Sequence, residues 1–266
     1  MGVEAVQQRG DGEAQRAFMK TLLRDVRALE QMITSGMIES GVRRIGAEQE
    51  LFIVNRSWRP APLNDAILAD LDDDNCTTEL AKFNMEFNLD PLVFGGDCLS
   101  KLEASINEQL VKVRNVARLH DAEVVLCGIL PSLLKTDLAL DNLTDRPRYH
   151  VLNETLTRLR NGPYQLKIEG IDELSVEHDN VMLEACNTSF QVHFQVGADE
   201  FPRAYNIAQA VTAPVLAAAS NSPLLFGKRL WRETRIALFQ QSIDTRQAQQ
   251  HMREFLRRVS FGTHWV

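Results

Sequence analysis

Three segments of this chain alternate polar and apolar residues with a period of two, the signature of a β-strand, whose successive side chains point to opposite faces. In Ile45-Gly46-Ala47-Glu48-Gln49-Glu50-Leu51-Phe52-Ile53 the two glutamates share a face and stand about 6 to 7 Å apart along the strand. That spacing lets carboxylates share metal ions. In Lys82-Phe83-Asn84-Met85-Glu86-Phe87-Asn88-Leu89-Asp90 every even position is polar and every odd one apolar. Ser189-Phe190-Gln191-Val192-His193-Phe194-Gln195-Val196 repeats the design with His193 between Gln191 and Gln195. Three such strands require a sheet with one apolar and one polar face.

Alternation alone describes a sheet with a wet face, as antiparallel sheets often have. The composition of the polar face argues for more. Asn, Asp and Glu are depleted in strands, and clustered carboxylates raise one another's proton affinity unless a cation compensates. A hard divalent ion such as Mg²⁺ or Mn²⁺ suits oxygen ligands with one imidazole. His193 reads as a metal ligand or a donor to phosphate. Histidines 120, 150, 178, 251 and 264 have no comparable company and read as surface or structural residues. Glu79 is numerically out of phase with Glu86 and is expected to reach the same face only through a bulge or turn, as a second-rank ligand.

The remaining pattern is helical. Phe18, Leu22, Val26, Leu29 and Ile33 predict a helix over about 14–36 behind a mobile tail of residues 1–13, with Gly36 as its stop. A short helix is expected at 66–71. Leu99, Leu102, Ile106, Leu110, Val113 and Ala117 mark one of about 20 residues, started by the turn at Gly95-Gly96-Asp97. A buried strand is expected over 123–130, a helix over 147–160, strands over 164–169 and 173–177, and helices over 199–219, 230–241 and 246–258. The class is α+β: an antiparallel sheet whose apolar face is covered by helices, in one domain spanning 14–266. The apolar last residues, Phe261 to Val266, lead to the expectation that the domain continues beyond them.

Lys228, Arg229, Arg232 and Arg235 form a cationic cluster, followed by Arg246. Lys228 and Arg232 read as a solvated helix face. Arg235 and Arg246 are 11 positions apart, three helical turns, and share one side if the helix is continuous. Guanidinium forks bind carboxylate and phosphate, so an acidic metal face with arginines is equipped for phosphoryl transfer onto a carboxylate. A formal charge of −7 argues against nucleic acid as a partner, and no apolar run approaches the ~20 residues of a membrane span. Four scattered cysteines read as reduced thiols of a cytoplasmic protein. No P-loop, dinucleotide fingerprint, H-E-x-x-H or nucleophile-elbow motif is present. Whether the chain forms a homo-oligomer is left open.

Gly46-Ala47-Glu48-Gln49-Glu50-Leu51-Phe52, Thr77-Thr78-Glu79-Leu80, Asn84 through Pro91, Ser189-Phe190-Gln191-Val192-His193 and Ala219-Ser220-Asn221-Ser222-Pro223 together resemble the glutamate-cysteine ligase family 2 and related carboxylate-amine ligases, over about 43–246. The resemblance implies a glutamine synthetase-like fold, in which a curved antiparallel sheet with helices on one face binds ATP and divalent ions on its concave side. It implies phosphorylation of the side-chain carboxylate of glutamate and displacement of the phosphate by an amine, typically that of cysteine, the chemistry of glutathione biosynthesis. By position it makes Glu48, Glu50 and Glu86 ligands of Mg²⁺ or Mn²⁺, with Glu79 as a further one. It sets His193, with Gln191 and Gln195 in phase, beside the ATP phosphates or a metal, and makes Arg235, Arg246 and Arg148 contacts for substrate or phosphate. It also implies that the family's catalytic domain runs past Val266 and supplies a further strand to the cavity. A non-catalytic domain of the same fold that senses ATP or an amino acid stands as the alternative.

Overall fold

A computed structural model describes residues 12–244 and 264–266. Most of the expected tail, all of the helix expected over 246–258, and Arg246 and His251 lie outside the described residues.

Helix α1 (Gly12–Thr34) is followed, past Gly36 at φ +71°, by strand β1 (Arg44–Asn55), the axis of the molecule. Helix α2 (Asn64–Leu71) leads to β2 (Cys76–Thr78) and β3 (Asn84–Val93), and helix α3 (Cys98–Leu119) to β4 (Ala122–Val125). Helix α4 (Pro147–Arg160), the hairpin β5 (Tyr164–Glu169) and β6 (Glu173–His178), and a 3₁₀ turn over Val181–Cys186 precede β7 (Phe190–Phe194). Helix α5 (Phe201–Ala218), the two-residue strands β8 (Leu224–Leu225) and β9 (Lys228–Arg229), and helix α6 (Arg235–Ser242) complete the order.

The main sheet is antiparallel and runs β2-β3-β1-β4. β1 gives one edge to β3; β7 takes Ile45–Gln49 of its other edge and β4 takes Phe52–Asn55. A mixed architecture of helices and antiparallel sheet is therefore the fold class, as the patterning predicts. Odd-numbered residues of β1 and β3, Leu51, Ile53, Met85 and Phe87, form one core with Leu110, Val113 and Ala117 of α3 and Ile67 of α2. Leu99 at the start of the α3 stripe is exposed.

The other face departs from expectation: it is covered, not wet. Asn84 is 2% and Glu86 8% exposed. Phe52 and Val54 on that side join a second core with Phe83, Leu156, Leu166, Met182, Leu183 and Leu238, drawn from α4, the β5–β6 hairpin, the 3₁₀ turn and α6. Helices thus lie on both faces of the sheet. The reason is that the polar face of β1 turns apolar after Glu50, so it too demands a partner layer. The alternation in β7 fails the other way: Phe190, Val192 and Phe194 are 44, 54 and 43% exposed.

Two elements are shorter than predicted. The strand expected over 123–130 ends at Val125, and the segment after it runs through Gly128 toward the site. The helix expected over 230–241 starts only at Arg235, because Leu230, Arg232 and Thr234, just past the β8–β9 hairpin, bond the backbone of Ser222 and Pro223. It ends at Ser242, so no described helix carries the 11-residue spacing from Arg235 to position 246. Cys76, Cys98 and Cys186 are buried and Cys127 half-buried, all as free thiols. Among the described residues no helix is long and apolar enough to cross a membrane.

Candidate active site

Register, more than sequence spacing, builds the site. Glu50 stands directly opposite Glu86 across the β1–β3 ladder, and Glu48 opposite Asn88. Like charges in directly opposed positions repel. A third acid joins them from the neighbouring strand. Because β2 pairs with β3 so that Thr77 faces Glu86, Glu79, two residues further on, falls on Glu86's side of the sheet. The numerical phase difference that made Glu79 look misplaced vanishes once the two residues are on different strands. One carboxylate oxygen each from Glu50, Glu79 and Glu86 lie within 4.8 Å of one another. That is close to the spread of oxygen ligands around a single hard cation.

A fourth acid is Glu184. It comes from the 3₁₀ turn that roofs this face; its charge acts on Glu50, and the charge of Glu79 acts on it. Sequence reasoning passed over it, although a single acid inside the apolar run Val181-Met182-Leu183-Glu184-Ala185-Cys186 is itself a signal. Burial, then the charge of Glu184, raises the Glu50 carboxyl to about 7, against hydrogen bonding from Ser189. Burial and the charges of Glu50 and Glu86 raise Glu79 to about 8, although Arg148 pulls it down. Burial and then Glu79 raise Glu184 to about 7. Burial and Glu48 push Glu86 upward, while hydrogen bonding with Asn88 and Glu79 pulls it back. Among the described residues, burial and mutual repulsion outweigh the positive charge set beside these acids, which favours their protonated forms near neutrality.

The other predicted residues divide. His193 Nε2 is 3.3 Å from a Glu48 oxygen, and Gln191 is the direct partner of Glu48 across the β1–β7 ladder. These three form a second station on the same face, outside the three-acid group. Arg148 lies over the Tyr149 ring, 4.5 Å from its centroid, contacts the Tyr149 hydroxyl, and acts on Glu79 as a counter-charge. Gln195 is not brought to the site. It accepts from Arg44 at 2.8 Å and donates to Glu39 at 2.8 Å beyond the end of β7. Of the other histidines within the described residues, His120 pairs with Asp70, His150 with Asp145, and His178 is buried against Asn180, consistent with structural or surface roles.

Arg235 opens α6 and reaches back across the site. Its Nε donates to Glu233, and one terminal nitrogen donates to the Thr188 carbonyl at 2.8 Å. Glu233 is itself buried and accepts from the Asn221 N–H at 3.2 Å and the Ser222 hydroxyl at 3.0 Å. Next in sequence to Thr188, the Ser189 N–H donates to the Glu50 carboxylate at 2.7 Å. Arg235 and Glu50 are therefore joined through two residues of one loop. Gly128 makes this possible: a Cβ there would stand 2.5 Å from Arg235 Nε and from Asn221 Oδ1. Glu50, Glu184, Asn187, Gln191, Glu233 and Arg235 face a cleft of about 530 Å³, with Phe190, Leu216, Ile236 and Phe239 as its apolar walls.

Acids that cannot all be charged, a histidine–glutamate pair and an anchored guanidinium beside a cleft can bind cations and receive an anionic group. No curated protein matches the chain. The family model for glutamate-cysteine ligase family 2 (GCS2) matches residues 44–261, which include every strand of the acidic face and α6. The chain belongs to glutamate-cysteine ligase family 2.

Proposed function

We propose that this protein is an ATP-dependent carboxylate-amine ligase, built on a glutamine synthetase-like frame, that joins the γ-carboxylate of glutamate or a similar acid to an amine such as that of cysteine. In this reading the substrate carboxylate attacks the γ-phosphorus of ATP, ADP leaves, and an acyl phosphate forms. The amine nitrogen then attacks the acyl carbon, the amide bond closes, and inorganic phosphate departs with one oxygen of the original carboxylate. The amine loses a proton in the second step.

Family membership supports the ligase class, and the acid cluster supports the cation requirement. The donor set of Glu50, Glu79 and Glu86 is all oxygen, with Glu86 buried and the other two half-buried, which fits a hard divalent ion such as Mg²⁺ or Mn²⁺. Such an ion, when bound, supplies neutralisation of phosphate charge. Glu50, Glu79 and Glu86 would hold it, with Glu48 as a further ligand, and His193 and Gln191 would meet the phosphates from the adjoining strand edge. Glu233 fixes the Arg235 fork, which meets the carboxylate or the departing phosphate; Arg246 is a further candidate for that work. Arg148 balances Glu79.

The single observation that carries the proposal is the convergence of three carboxylates, one buried and two half-buried, within 4.8 Å of one another beside the Arg235 cleft. Mass spectrometry of products from ATP, Mg²⁺, L-glutamate and a panel of amines is the test. A new amide, formed with stoichiometric ADP and dependent on all components, is expected. Cleavage of ATP that is indifferent to acid and amine would overturn the reading.

A further inference from the structure

Asn187 caps the 3₁₀ turn that carries Glu184, its backbone N–H donating to the Glu184 carbonyl at 3.0 Å. Its side chain does no such structural work. Both the oxygen and the nitrogen of the amide are sealed from bulk solvent, and neither has a hydrogen-bond partner among the described residues. Leaving both ends of a buried amide unmade carries a desolvation cost, and each such group in a folded protein requires an explanation. Asn187 lines the same cleft as Glu50, Glu184 and Arg235.

We propose that Asn187 is a specificity-determining residue that reads the α-amino-acid head group of the substrate, its Oδ1 accepting from the ammonium and its Nδ2 donating to the α-carboxylate. The assignment rests on the ligase reading above and adds to it a residue and a recognition mode. An amide offers an acceptor and a donor side by side, so a phosphate, which only accepts, satisfies half of it. A zwitterionic head group satisfies both. The cleft's lining agrees: Glu50, Glu184 and Glu233 bring acceptor oxygens to an ammonium, while the Arg235 guanidinium is already joined to Glu233. Position decides against the base of a nucleotide. Asn187 is two residues from the Ser189 N–H that holds the Glu50 carboxylate, and so beside the acid cluster to which the ligase reading assigns the terminal phosphate's cation. A base is set apart from its terminal phosphate by a ribose and two further phosphates.

The experiment compares wild type with Asn187→Leu, close in volume, and Asn187→Ala, using calorimetric titration of L-glutamate and of Mg-ATP, thermal melts, and kcat and KM where product forms. About a tenfold weaker affinity for L-glutamate is expected in both variants, with Mg-ATP affinity and kcat nearly unchanged and Tm equal or higher, because an unsatisfied amide has been removed. Loss confined to Mg-ATP would mean that the amide reads the base, and would overturn the assignment. A fall in Tm with unchanged glutamate affinity would make Asn187 structural and overturn it equally. If wild type binds L-glutamate but makes no amide, the ligase reading falls while the titrations still decide Asn187. If wild type binds no L-glutamate, the assignment falls.

Discussion

Glu50 and Glu86 face each other across a ladder where opposite charges or apolar pairs would be more stable, and burial first, with neighbouring carboxylates second, raises the proton affinity of both. The sign of the consequence is fixed. Glu50, Glu79 and Glu184 bind protons more tightly in the folded chain, at about 7, 8 and 7, than at their ordinary value of 4.5. Between those limits the folded state holds more protons than the unfolded one, so stability falls as pH rises. Their contribution is complete below about pH 4.5 and lost as pH passes through 7 to 8. Glu50→Gln should therefore raise the metal-free Tm at pH 8 and weaken Mn²⁺ binding at least about tenfold, read by melts and calorimetry. At Gly128 the added methyl of Gly128→Ala meets Arg235 and Asn221. Denaturant titration should show a loss of about 1 to 3 kcal/mol, with the Glu50 loop disturbed through Thr188. Glu48, Glu50 and Glu86 were legible from strand phase, Glu79 looked out of phase and Glu184 was missed; Gly128 and Glu233 were not legible, because their roles exist only once 128, 188, 221 and 235 come together.

Elements were legible where periodicity was long, and less so where short pairing competed with it. Helices α3, α4 and α5 lie close to where they are expected, whereas Leu230 to Thr234, expected to be helical, follow the β8–β9 hairpin, turned at Phe226-Gly227 with both φ positive, and bond instead to the backbone of Ser222 and Pro223. Periodicity also says that a face is apolar without saying what covers it. Val113 of α3 is fully buried against the sheet, so Val113→Ala should cost about 1 to 3 kcal/mol in urea unfolding. Leu22 of α1 belongs to an equally regular stripe yet is 41% exposed, and Leu22→Ala should stay within about 0.5 kcal/mol. Equal losses at the two positions would show that α1 is packed as firmly as α3.

For the whole molecule the two faces of the sheet serve different ends: the α2–α3 face supplies a core, and the opposite face changes along β1 from the acids at 48 and 50 to the second core at 52 and 54. That change was legible in the sequence of β1 itself, but the layer that covers it comes from residues far along the chain and was not. A chain arranged this way should gain more from Mg²⁺ at pH 8 than at pH 5.5, where protons already compensate the acids. Melts at both pH values check it, and a cation effect that is equal at both would count against the acid cluster as the binding point. The most direct test of the chemistry follows one oxygen atom. With L-glutamate labelled by ¹⁸O in its γ-carboxylate, ATP, Mg²⁺ and the amine that supports turnover, the released inorganic phosphate should carry one ¹⁸O per amide formed. Amide formation with unlabelled phosphate would contradict the acyl-phosphate route.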